Sequence, residues 1–263
     1  MFRYILITIS WFTAIQAVAQ DTLILTEVEA ISCFDVDVKG NYFVADKAFT
    51  LFKYDVKGKL ITNVNIKSYG ELTSIDCSNP FEIYAFYQDQ NIIVFYDNML
   101  NVRGELRLND YYFNNVSCIS RSFDNNIWIV DLSQYKLLKI NKKGEIIAES
   151  PFLNNVLNQE LNTYKIWDIN NSVYIADSLV GVYQFDIYAT YSKTYYIKNT
   201  KAVSSTKGML FFKQEEKLIS YNKLLREPLT IHSNLPKNTS FSFYQNKLTY
   251  FTKNKIISYP TEY

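Results

Sequence analysis

The 263-residue chain has a single histidine, three cysteines and almost no charge imbalance. Each shortage closes off a class of function. One histidine, His232, cannot build a histidine-rich metal centre, and it leaves no obvious second member for a general acid and base pair. Cys33, Cys77 and Cys118 are an odd number, so they cannot form a complete disulfide framework and the core must hold by burial. An apolar content of 48% suffices for that. Lysines and arginines are scattered among acids rather than gathered in a basic patch, so no nucleic acid partner is expected. Beyond the N-terminal segment, no apolar run approaches the roughly 20 residues of a membrane span.

What the N-terminus has is a charge, an apolar stretch and a small-residue tripeptide in that order: Arg3, residues 5–14 and Ala17-Val18-Ala19. That order marks a secretory signal peptide. Residues 1–19 are therefore expected to be removed on export. This leaves residues 20–263 as one domain starting at Gln20, with no cysteine there to carry a lipid. Loss of Arg3 leaves 26 basic and 26 acidic side chains, a net charge of zero.

Asp-Val-Lys-Gly occurs at residues 37–40 and again at 55–58, each time ahead of an apolar run. A longer pattern contains both. Tyr42-Phe43-Val44-Ala45-Asp46 aligns with Ile127-Trp128-Ile129-Val130-Asp131 and Val173-Tyr174-Ile175-Ala176-Asp177, and less closely with residues 82–87, 209–213 and 247–252. With Asp46, Tyr87, Asp131, Asp177, Lys213 and Thr252 as equivalent markers, the spacings are 41, 44, 46, 36 and 39 residues. Shortly after each marker stands a second: Tyr54-Asp55, Tyr96-Asp97, Ile140-Asn141, Phe185-Asp186, Tyr221-Asn222 and Tyr259-Pro260. Gly and Asn between the apolar runs accept the positive φ of tight hairpins. Units of about 40–45 residues, each of four antiparallel strands, have the length of propeller blades. The expected fold is all-β, a six-bladed β-propeller. The sixth unit has no room for a fourth strand, so residues 22–28 are expected to supply it and close the ring.

The string "DVKGNYFVAD" followed by "LFKYDVKGKL" resembles the repeat of NHL-like six-bladed β-propellers, in which a turn, a Tyr-Val-x-Asp strand and a Phe-Asp-x-x-Gly hairpin recur. The resemblance covers nearly the whole mature chain. Units one, three and four match well, whereas five and six lack the marker aspartate. The Val-Ala-Gln end of the signal and a chain rich in Asn, Lys, Ile and Tyr resemble exported proteins of the Bacteroidota. These resemblances imply a non-enzymatic periplasmic module, a monomer by itself, that binds a protein partner in an outer-membrane complex. Accessory subunits of the type IX secretion apparatus are of this kind, where a compact disc could cap the periplasmic mouth of a pore. The chain ends at Tyr263 inside the last unit, with no separate C-terminal sorting domain, which favours retention in the periplasm. The alternative is a degenerate lactonase-like or sugar-binding propeller acting on a small ligand.

Calcium-dependent lactonases of similar architecture hold the metal on the central axis. The axis-facing residues at one level are expected to be Asp35, Asp76, Ser120, Ile166, Ala202 and Phe241. Two carboxylates in adjacent blades can hold a cation through oxygen ligands. The other blades offer little to help, so Asp35 and Asp76 are weak metal candidates and no cofactor is expected. Asp46, Asp131 and Asp177 sit where a strand enters a hairpin, and each is expected to hydrogen-bond its own turn. Cys33 and Cys118 occupy equivalent positions and Cys77 the opposite parity, as buried small residues would. His232 reads as a loop residue after the last strand of unit five.

Two links between units are irregular. Residues 109–115 carry Tyr111, Tyr112 and Phe113, and residues 150–165 place Leu153, Val156, Leu157 and Leu161 on one face of a short helix. Longer loops on a rigid scaffold are where binding groups are displayed. Tyr111, Tyr112, Phe113, Leu153 and Leu157 are therefore expected to meet the partner. Filling between blades, and packing of the helix on its own blade, are the competing readings.

Overall fold

The computed structural model describes residues 21–260 other than 26, 29, 198–199, 201, 206–207, 234, 237–238, 245–246 and 253–254; the expected signal peptide lies outside them. Six four-stranded antiparallel sheets are arranged as a β-propeller, as the repeat implied. Five are ordered from inner to outer strand in chain sequence. Blade one is Ile31–Val36, Tyr42–Asp46, Thr50–Tyr54 and Leu60–Asn65. Blade two is Ser74–Asp76, Ile83–Tyr87, Ile92–Tyr96 and Val102–Arg107, and blade three is Val116–Arg121, Ile127–Asp131, Lys136–Ile140 and Ile146–Glu149. Blade four is Thr163–Ile169, Ser172–Asp177, Gly181–Asp186 and Tyr191–Tyr196, and blade five is Ala202–Ser205, Met209–Gln214, Lys217–Asn222 and Pro228–His232. Blade six takes Phe241–Tyr244, Lys247–Thr252 and Lys255–Pro260 from one end of the chain and Asp21–Ile24 from the other.

That last pairing closes the ring. Asp21 lies opposite Ser258 and Ile24 opposite Lys255, antiparallel. The expected closing segment is split in function. Residues 21–24 complete the sheet, whereas Leu25 and Val28 leave it and pack with Val44, Phe52 and Tyr54 of blade one and Phe251 and Ile256 of blade six. Closure thus joins two blades as well as satisfying an edge.

Because the blades stand radially, their middle strands are covered on both sides. Ile83–Tyr87, Ile92–Tyr96 and Ile127–Asp131 are buried at every position, while the outer strand Leu60–Asn65 alternates between half-buried and exposed. Among the described residues the apolar side chains form a cluster at each blade boundary. Between blades two and three, Tyr84, Phe86, Ile93 and Phe95 meet Ile119, Ile127, Ile129 and Leu138. Each such side chain contributes roughly 1.5–3 kcal/mol by leaving water.

The two Asp-Val-Lys-Gly copies are one turn used twice in blade one. Asp37 Oδ1 accepts the Lys39 and Asn41 backbone N–H at 2.8 and 2.9 Å, and Asp55 Oδ1 accepts those of Lys57 and Lys59 at the same distances. Gly40 and Gly58 follow with φ of 82° and 76°, a backbone that a Cβ would strain. Asp97, Asn141, Asp186 and Asn222 repeat the bond to the second residue on. The first markers also behave as expected. Asp46 accepts from Ala48 and Thr50, Asp131 from Ser133, and Asp177 from Leu179 and Val180.

Candidate functional site

The inner strands of all six blades surround a central cavity of about 360 Å³. Strand register identifies which residues share a level. Counting three residues back from each marker gives Phe43, Tyr84, Trp128, Tyr174, Leu210 and Thr249, which lie opposite Asp35, Asp76, Ser120, Trp167, Ser205 and Ser242. The expected level holds for blades one to three and is corrected for the rest, where Trp167, Ser205 and Ser242 replace Ile166, Ala202 and Phe241. In blade four the cause is hairpin length. Blade four turns on two residues, Asn170 and Asn171, both left-handed at φ 52° and 59°, whereas blade one uses residues 37–41.

The polar groups at this level clasp neighbouring blades. Asp35 Oδ2 accepts the backbone N–H of Cys77 at 3.0 Å and its thiol at 3.2 Å, joining blades one and two. Asp76 Oδ2 accepts the Arg121 backbone N–H at 2.7 Å and the Ser120 hydroxyl at 3.3 Å, joining two and three. Trp128 Nε1 and Ser122 Oγ each donate to Asp168 Oδ2 at 3.0 Å, joining three and four. Trp167 Nε1 donates to Ser205 Oγ at 2.6 Å and Lys165 Nζ to the Val203 carbonyl at 2.8 Å, joining four and five. Among the described residues no group of three His, Cys, Asp or Glu side chains is arranged to hold a metal.

Burial pushes the Asp35 carboxyl up, the Asp76 charge adds to it, and the bonds from Cys77 oppose both. Burial pulls the Lys165 ammonium down, against the pull of Asp35 and Asp76. Cys33 and Cys118 share a level, opposite Ala45 and Val130, and burial pushes both thiols up to about 12. All three cysteines are free. His232 ends the outermost strand of blade five instead of lying in the loop beyond it.

The irregular links divide the expected partner residues. Tyr112 is 80% exposed and Tyr111 39%, the Tyr111 ring lying against Gly144 of blade three. Phe113 is 2% exposed, which corrects the expectation for it. Tyr112 adopts a left-handed backbone at φ 65°, and after it the chain turns the next side chain into the gap between blades two and three, among Leu106, Leu108 and Ile129. Asn91 Nδ2 donates to the Phe113 carbonyl and secures that turn. The second link forms the expected helix, Leu153–Leu157, but its apolar face packs between blades three and four. Leu153 is fully buried and Leu157 half-buried there, so the helix seals its own boundary and neither leucine is a surface anchor.

Two residues missed in the sequence belong to segments tied to the same hairpin as Tyr112. Phe152, just before the helix, is 53% exposed, and Tyr135, in the hairpin joining the second and third strands of blade three, is 43% exposed. Leu153 N–H donates to the Tyr135 carbonyl at 2.7 Å and Gln134 Nε2 to the Tyr112 carbonyl at 3.0 Å, so one hairpin holds both links. The available signal was Phe152 falling off the leucine stripe of its helix.

Neither the family models nor the curated proteins give a match to this sequence, and the NHL-like resemblance rests on the repeat residues alone. Solved structures do match. Virginiamycin B lyase from Staphylococcus aureus aligns with a TM-score of 0.66 at 12% identity over 93% of this chain and 99% of its own. The Cps50 (Swd1) β-propeller domain of Myceliophteria thermophila aligns with a TM-score of 0.66 at 8% identity over 92% and 100%. The WD40 repeats of RRP9 align with a TM-score of 0.67 at 8% identity over 92% and 98%. At such identities the likeness speaks for the fold alone, and the fold is shared by an enzyme and by interaction scaffolds.

Proposed function

We propose that this protein is an exported, non-enzymatic interaction module of the periplasm. It binds a protein partner through the surface of Tyr112, Tyr135 and Phe152; the Tyr111 ring is turned toward Gly144. The observation that carries the reading is Tyr112, an aromatic ring 80% exposed on a backbone pinned to a neighbouring hairpin. Holding such a ring in water offers the folded monomer little, whereas a rigid aromatic loses little entropy on docking and is favoured at interfaces. An outer-membrane complex, with the disc capping a secretion pore, is the finer form of the proposal and draws its support from the resemblance to exported propellers. The position of the lone histidine also supports a non-enzymatic reading. One virginiamycin B lyase structure is of a catalytically inactive histidine-to-alanine variant with quinupristin. Here His232 belongs to an outer strand, and the central cavity is lined by inner ones.

The test is a Tyr112→Ser, Phe152→Ser double variant. Its recovery of an envelope partner should fall about tenfold or more, since truncating interfacial aromatic anchors costs about 2 kcal/mol or more, with the Tm retained. Undiminished recovery would rule this surface out.

A further inference from the structure

The blade clasps leave Lys165, Asp35, Asp76 and Asp168 in the central cavity without a counter-charge among the described residues. Lys165 Nζ has three donors; it donates to the neutral Val203 carbonyl and lies 5.9 Å from the Trp167 ring, and among the described residues it has no carboxylate partner. Asp35 accepts from the Cys77 amide and thiol, and Asp76 from the amides of Arg121 and Ser78 and the hydroxyls of Ser120 and Ser78, all neutral. These two acids stand on blades one and two and Lys165 on blade four, across the ring and two residues along the strand from their level, at the level of Cys33. Their fields reach one another, but no ion pair is closed between them. All three are half-buried and line the cavity. Of the other charged residues of the wall, Arg121 pairs with Glu82 at 3.1 Å and lies 3.8 Å from the Tyr84 ring, and Asp168, also without a counter-charge, has one oxygen, Oδ2, taken by three donors, Trp128, Ser122 and the Phe123 amide.

Separated charges of opposite sign on facing walls cost stability unless something bridges them. A simple anion would satisfy Lys165 and repel the acids, and a simple cation would do the reverse. A molecule bearing both charges answers all three groups. We propose that the cavity is a binding site for a small zwitterion, a free amino acid or dipeptide, with its ammonium at Asp35 and Asp76 and its carboxylate at Lys165. The volume of about 360 Å³ suits a ligand of that size, and Ser74, Ser204, Ser240 and Ser242 offer further wall hydroxyls. The site is independent of the aromatic partner surface.

The experiment uses the mature protein and, as probes at millimolar concentration, the common L-amino acids and glycylglycine, read by thermal shift and calorimetry. At least one probe should raise the Tm and bind, and its N-acetylated and C-amidated forms should each bind about tenfold or more weakly, the loss of one charged contact. Lys165→Met should lose binding while the Tyr112→Ser, Phe152→Ser variant keeps it. Because Asp35, Asp76 and Lys165 all clasp blades, the blocked probes test both charged contacts in the unaltered protein, and the Lys165 variant is read with its Tm retained. No shift with any probe, equal binding of the blocked forms, or undiminished binding by the Lys165 variant would overturn the proposal.

Discussion

Tyr112 and Phe113 are adjacent aromatics with opposite surroundings, and their substitution separates surface from core. Phe113→Ala removes a ring from between two blades and should cost about 3–5 kcal/mol. Tyr112→Ala touches no core and should stay within about 0.5 kcal/mol. Chemical denaturation of the two variants checks the difference. Lys223 gives a pH-dependent counterpart. Its ammonium lies 4.6 Å from the Tyr174 ring, and burial, with Lys193 adding repulsion, pulls it down from 10.5 to about 8. A base whose folded value lies below its free one opposes folding while charged. That penalty is full below pH 8 and is relieved as pH rises toward 10.5. Lys223→Met should therefore have a higher Tm than the parent at neutral pH, with the gap closing in alkaline buffer; a gap independent of pH would mean the charge is not its cause. The sequence revealed the roles of Asp46, Asp131 and Asp177 because a turn acceptor acts within a few residues. It did not reveal the exposures of Tyr112 and Phe113, because a left-handed residue resets which way the next side chain points.

At the scale of elements, the closing strand carries the sharpest expectation. Asp21–Ile24 covers the edge of Lys255–Pro260, and Leu25 and Val28 seal the boundary with blade one. Deleting residues 21–28 should uncover both and lower the Tm of the whole ring in calorimetry. An unchanged transition would refute closure by this segment. Four strands per blade were legible because the marker and the hairpin Asx residue recur in fixed phase. The axial level in blade four was not, because Asn170 and Asn171 turn in two residues where blade one uses a longer loop, and counting through hairpins of unequal length loses register. The helix Leu153–Leu157 was legible from its spacing, yet spacing is silent on what the apolar stripe faces.

For the whole molecule, antiparallel blades separate the disc into two sides. Hairpins joining inner to second and third to outer strands lie on one, and the links, with the second-to-third hairpins, lie on the other. Tyr112, Tyr135 and Phe152 belong to the link side, while Leu224, 87% exposed, sits in a third-to-outer hairpin on the opposite side. Exposure alone does not choose between them, since both sides present large apolar residues. The exposed aromatics carried on segments pinned to one hairpin are what favour the link side. Site-specific photo-cross-linking in the native envelope tests this most directly, with a photoreactive residue placed at 112, at 152 or at 224 in otherwise unchanged protein. The account predicts one shared protein adduct from 112 and 152 and none from 224. An adduct from 224 alone, or none from 112 and 152, would contradict it.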